Sequence, residues 1–209
     1  MTHSETENRR AEAVQVILDA ATEVFAEVGF EGARMDVIAR RAGINKAMIY
    51  YRIGDKATLY AEVLHRAFSG TADRLLQLLE GARSPEEKIR VYIRAFVQTI
   101  EENPHLPPMM LREVASGGKN MPDLALADLG RILLILRDLL TEGVKTGAFV
   151  DIHPVLFHLL IVGPISMRTR LKSIAARRGD FQKILRRIDD DHPDMMGELT
   201  EMVIKGLKV

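Results

Sequence analysis

The sequence predicts an all-α protein, and three observations carry that prediction. Apolar residues recur at three- and four-residue intervals over most of the 209 residues, the spacing that lines one face of a helix. No stretch alternates apolar and polar residues convincingly enough to make a strand. Glycine and proline fall mainly between the periodic stretches, where they stop and start helices. There is no internal repeat and no low-complexity tract.

Residues 1–10 read as a polar, flexible tail. From Ala11 a helix is expected, because Val14, Ile17, Leu18, Ala21, Phe25 and Val28 share one face and Gly29 follows as a stop. Phe30 fills the junction as core. A short helix over about Met35–Arg41 comes next, with Val37, Ile38 and Ala42 as its apolar side. Gly43 supplies the left-handed conformation that ends a helix. Asn45 is placed to cap a second short helix by accepting from an amide two or three residues on. In that helix Ala47 and Ile49 are suited to packing, which leaves Lys46, Met48, Tyr50, Tyr51 and Arg52 facing outward. Two short helices joined at a glycine, the second crowded with long polar and aromatic side chains, form a helix-turn-helix pattern. The second helix of that motif lies in the major groove of DNA.

A long helix follows from about Lys56 to Gly81, with one apolar stripe at Leu59, Val63, Leu64, Ala67 and Phe68 and another at Leu75, Leu76, Leu78 and Leu79. Serving two apolar surfaces, it links an N-terminal module to a C-terminal body. Ser84-Pro85-Glu86-Glu87 carries the N-cap, the first-turn proline and the third-position glutamate of a capping box. That helix buries Ile89, Ile93, Phe96, Val97 and Ile100. Met109, Met110, Leu111 and Val114 indicate a short helix, and Ser116-Gly117-Gly118-Lys119 a loop without the upstream glycine or strand of a phosphate loop. Leu129, Ile132, Leu133, Leu136, Leu139, Leu140 and Val144 share a broad face that ends at Gly147. Asp151 is expected to cap the next helix, which is apolar nearly all round from Val155 to Ile165 and kinked at Pro164. A basic run (Arg168 to Arg187) and an acidic run (Asp189 to Glu201) lead into a last helix with Met195, Met196, Leu199, Met202, Val203 and Leu207. The two final apolar helices exceed what so small a body covers. A second copy, contributing the same pair to a four-helix bundle, would cover them and place two reading heads about 34–36 Å apart.

Gly43-Ile44-Asn45-Lys46-Ala47-Met48-Ile49-Tyr50-Tyr51-Arg52-Ile53, followed by Lys56-Ala57-Thr58-Leu59, resembles the tetracycline-repressor (TetR) family of bacterial regulators over about fifty residues. Arg34 stands where that family often has a serine or threonine cap, and Arg52 and Ile53 replace a common aromatic pair. The resemblance implies an N-terminal three-helix DNA-binding domain, 11–56, and a helical ligand-binding and dimerisation domain, 57–209. It implies double-stranded operator DNA, a small-molecule effector and a second copy of the chain as partners, with effector binding releasing the DNA. It points to Arg34, Asn45, Lys46, Ala47, Met48, Tyr50, Tyr51, Arg52 and Lys56 as the DNA-facing set. Lysine suits guanine or phosphate, Ala47 and Met48 a thymine methyl, and the tyrosine hydroxyls phosphate oxygens. Lys56, opening the long helix, is implied as a phosphate contact, so that removing its charge would lower the salt dependence of binding by about one ion. Phe96, Met109, Met110, Phe157 and Met167 are candidates to line an effector cavity.

Composition narrows the alternatives. The chain has no cysteine, which removes disulfides, thiolate metal sites and a cysteine nucleophile and fits a cytoplasmic location. His105, His153 and His158 have no metal-binding spacing, and no cofactor is expected. Twenty-nine basic residues balance 29 acidic ones, so net charge does not announce a nucleic-acid partner. The segment from Gly32 to Lys56 does, with six arginines and lysines against Asp36 and Asp55. An enzyme reading lacks G-x-S-x-G, H-E-x-x-H and a dinucleotide fingerprint. A helical interaction module that no longer reads DNA is the other alternative. The N-terminus carries no apolar leader and no run spans a bilayer.

Overall fold

The computed structural model describes residues 3–209 and is helical throughout. Ten helices are present among the described residues: α1 His3–Gly32, α2 Met35–Arg41, α3 Lys46–Arg52, α4 Lys56–Leu79, α5 Pro85–Glu102, α6 Leu106–Ala115, α7 Asp123–Lys145, α8 Pro154–Ala175, α9 Gly179–Asp191 and α10 Met195–Leu207. The one extended pairing described is an isolated antiparallel bridge between Phe149 and Lys208. The backbone is already helical at His3, so of the tail expected over 1–10 only the first two residues lie outside the description. Gly29 does interrupt α1, with φ 73° and ψ 177°, before one further turn carries the chain to Gly32.

Packing divides the chain into two units. The first holds the residues up to Ser69 together with Pro108–Asp128. Its core is built on Ile17, Ala21, Phe25, Ile38, Ile49, Leu59, Tyr60 and Leu64, all fully or almost fully buried. Phe25 meets Tyr60 edge-on at 4.7 Å, and Phe30 lies 5.2 Å from the same ring. The Tyr60 hydroxyl donates to Oε1 of Glu113, itself buried, at 2.9 Å. The Asn120 N–H reaches Oε2 of that carboxylate at 3.3 Å. Burial and the adjacent carboxylate push the Tyr60 hydroxyl well above the usual tyrosine range.

The second unit holds Gly70–Pro107 and Leu129–Val209. The Ser84 hydroxyl accepts from the Glu87 N–H at 3.2 Å, and the Glu87 carboxylate accepts in return from the Ser84 N–H, so the capping box is complete. Tyr92, Phe96, Phe157 and His158 form an aromatic cluster, with Tyr92 Oη and His158 Nδ1 hydrogen-bonded at 2.7 Å. The buried Thr71 and Thr99 hydroxyls meet at 3.0 Å. Gly143 is required for space: a Cβ there would lie 1.8 Å from the Phe149 ring.

Several expectations are corrected. Val28, Leu76, Leu78 and Val144 are exposed, because the neighbouring elements cover a narrower arc of each helix than the apolar residues occupy. His153, not Asp151, caps α8, its Nδ1 accepting from the Val155 N–H at 3.2 Å. α8 runs through Pro164 as one helix. The basic run and the first part of the acidic run share a helix of their own, α9, between the two final apolar helices.

Candidate nucleic-acid interface

The two short helices owe their angle to the turn between them. The Ala42 N–H returns to Ile38 O at 2.9 Å, and the Ile44 N–H reaches back over the turn to Ala39 O at 3.0 Å. Gly43, at φ 67°, makes that reversal without a Cβ penalty. The Asn45 side-chain oxygen then accepts from the Ala47 N–H at 2.9 Å and starts α3. One residue of α3, Ile49, is buried, at 0% exposure. α2 is buried through Met35, Ile38 and Ala39. A single apolar anchor on a seven-residue helix leaves nearly all its remaining surface to solvent.

On that surface stand Asn45, Lys46, Ala47, Met48, Tyr50 and Tyr51, the last 83% exposed, with Arg34 exposed at the start of α2. Ala47, expected to pack, is exposed because the helix turns only Ile49 inward. Lys46 lies over the Tyr50 ring, 5.8 Å from its centre. Arg34 makes no cap contact; it pairs instead with Asp36 at 3.2 Å, and Arg40 approaches the same carboxylate at 3.8 Å. Both pairs are open to water, so they cost little to exchange for phosphate. Arg41 has another role: it makes two hydrogen bonds to Glu27, at 2.8 and 3.0 Å, and fastens α2 to α1. Glu23 and Glu27, one turn apart on α1, were the only sequence signal for that fastening.

Two members of the expected set are placed elsewhere. Arg52 lines a recess of about 260 Å³ with Val14, Leu18, Ile53 and Glu62. Its Nε is buried without a hydrogen-bond partner, which takes it out of the outward-facing group. Lys56 turns its ammonium onto the end of α1, donating to Phe30 O at 2.9 Å and to Ala33 O at 3.4 Å.

The effector candidates do not gather. Phe96 and Phe157 are buried together in the second unit, Met109 and Met110 belong to the first, and Met167 is exposed on α8. His158 is a core histidine with Tyr92 as its partner, and burial lowers its pKa to about 4.

A buried-anchor reading helix behind a glycine turn defines the helix-turn-helix class of DNA-binding proteins. A family model described as bacterial regulatory proteins of the tetR family matches residues 17–63, and one described as the tetracyclin repressor-like C-terminal domain matches residues 85–202. The chain belongs to the TetR family. It is 29% identical over 156 residues to the HTH-type transcriptional regulator RutR of Escherichia coli strain K12, covering 71% of this chain and 72% of that protein. It is 28% identical over 139 residues to the transcriptional repressor NicS of Pseudomonas putida, 65% of each. A mutant of the regulator HlyIIR superposes with a TM-score of 0.69 at 25% identity, over 96% of this chain and 97% of that one. FadR of Bacillus subtilis, solved with stearoyl-CoA, shares the fold at a TM-score of 0.70 and 20% identity, over 92% and 98%. The protein is a DNA-binding transcription regulator and not an enzyme. Nothing favours an interaction module that has lost DNA reading.

Proposed function

We propose that the protein is a homodimeric repressor that binds a palindromic operator through Arg34, Asn45, Lys46, Ala47, Met48, Tyr50 and Tyr51, and leaves it when a small molecule enters the C-terminal body. The observation that carries this reading is α3 itself, which buries Ile49 alone and exposes a lysine, a methionine and two tyrosines. Lys46 supplies the charged donor at the N-terminal end of the reading helix. Tyr50 and Tyr51 offer hydroxyls to phosphate and rings to sugars. Ala47 and Met48 provide apolar contact of the kind a thymine methyl takes.

Self-association is supported by α8, which exposes Leu156, Leu159, Leu160, Met167, Leu171 and Ile174. α10 adds Met202 while burying Leu199, Ile204 and Leu207. A two-fold pairing over α8 and α10 removes this surface from water and gives the operator its symmetry. The effector chamber belongs to the body, with Phe96 and Phe157 as part of its wall; Met167 falls on the association face instead. No described helix is long and apolar enough to cross a membrane, and the place of action is the cytoplasm, with the DNA.

Selection of bound sites from random duplexes tests the proposal. The enriched sequence is expected to be an inverted repeat, and a screen for release from it would identify the effector. Enrichment of no sequence over the starting pool would refute the reading.

A further inference from the structure

We infer that Lys56 is not a phosphate contact but a positioning residue, a non-covalent staple that closes the reading segment into a ring. The inference rests on the DNA-binding reading above and assigns one of its residues a different task. Lys56 Nζ donates to Phe30 O at 2.9 Å and to Ala33 O at 3.4 Å, and lies 4.4 Å from the centre of the Phe30 ring. An ammonium has three N–H bonds; two go to carbonyls and the remaining side meets an aromatic face. The need for such a group is visible in α1. Its last turn carries no basic residue, and its final carbonyls lack intrahelical partners. A cation brought from elsewhere in the chain satisfies both the carbonyls and the negative end of the helix dipole.

The N-terminus of α4 is equally committed. The Asp55 carboxylate accepts from the Thr58 N–H and the Thr58 hydroxyl, each at 2.9 Å. These bonds hold it below the ordinary carboxylate range. The position a phosphate would take at this helix end is therefore filled by the chain's own anion. Ala33 is the residue before α2 is entered at Arg34, and Lys56 is the residue after α3 is left through Gly54 and Asp55. The staple thus ties the two ends of segment 34–55, which holds both helices of the motif. Phe30 in turn packs on Tyr60, and Tyr60 is held by Glu113, so the ring is seated on the core of its unit.

The test compares Lys56→Met, Lys56→Arg and Lys46→Gln in the full chain. Each is titrated with a duplex selected from a random pool, and with a mixed-sequence duplex, across a range of salt. Lys46→Gln is expected to lower the salt slope by about 1, as for one phosphate or base contact. Lys56→Met is expected to weaken binding about tenfold at every salt, the loss of charged hydrogen bonds, with the slope and base preference of the parent. Lys56→Arg, which keeps donors for both carbonyls, is expected to recover most of that loss. A slope lowered by Lys56→Met as much as by Lys46→Gln overturns the inference, as does unchanged affinity or no difference between the arginine and methionine variants. A measurement on the unaltered protein guards against a variant that fails to fold. The Lys56 ammonium resonance should be protected from exchange without DNA and unmoved by its addition, and a shift as large as that of Lys46 would overturn the assignment. Failure of the unaltered protein to bind either duplex would refute the DNA-binding reading, while the protection of Lys56 without DNA would still decide the staple.

Discussion

His158 sits within an aromatic cluster, hydrogen-bonded to Tyr92 and unable to gain a proton without losing solvation. Burial brings its pKa from 6.5 to about 4. The unfolded chain therefore takes up a proton at a pH where the folded chain does not. Stability from this group is complete above pH 6.5 and is lost as pH falls towards 4. At full loss it amounts to about 3 kcal/mol, an order of magnitude set by about 1.4 kcal/mol per pH unit. Glu86, Glu87, Glu102 and Glu201 are all held below their ordinary 4.5, so they act at lower pH. Chemical denaturation between pH 6.5 and 4.5 should show this slope in the parent and its absence in His158→Gln; equal slopes would dismiss the account. Tyr92 and His158 are 66 residues apart, and nothing local in either stretch announces the pair. Lys56 and Phe30 are separated in the same way. Asn45 was legible because its acceptor role needs only the next two residues.

At the scale of the element, the helix-turn-helix was readable because its signals are local. Gly43, Asn45 and the spacing of Ile38 and Ile49 fix α2 and α3 with no help from distant residues. No atom lies within 4 Å of a Cβ built on Gly43, so Gly43→Ala carries torsional strain alone. Its left-handed φ should cost about 1–2 kcal/mol, seen as a lower unfolding midpoint and weaker operator binding. Gly143→Ala tests the opposite case. Its φ lies outside the left-handed region, but the new Cβ would overlap the Phe149 ring, and a loss of about 1–3 kcal/mol is expected from overpacking. Unchanged thermal unfolding of Gly143→Ala would show that Phe149 can move aside. Which arc of a long helix is covered was less legible. Leu76 and Leu78 lie on the apolar stripe of α4 yet face water, since periodicity gives the direction of a stripe and neighbours give its width. α9 was missed for a related reason: it buries no residue, so its charges dominate its sequence.

For the whole molecule, a net charge of zero conceals a local arrangement in which most cations near the turn are already paired. Arg41 serves α1, Arg52 lines a recess and Lys56 staples a helix end. Lys46, with Arg34 released from its exposed pair with Asp36, is left to meet DNA. Affinity must then come from two heads acting together, which gives the exposed face of α8 its importance. Leu159 is 60% exposed in the single chain, so Leu159→Glu should change the stability of the protomer by no more than about 0.5 kcal/mol while preventing pairing. Sedimentation should give two chains for the parent and one for the variant, with operator affinity lost in the latter; a parent that sediments as one chain would remove the pairing from the account.

The most direct measurement is the ratio of affinities for a selected duplex and its scrambled counterpart, taken at one fixed, near-physiological salt. A protein that reads base edges with a paired head should favour the selected duplex by about a thousandfold or more. A ratio near one, however tight the binding, would show that the exposed face of α3 meets only phosphate and would contradict the central claim.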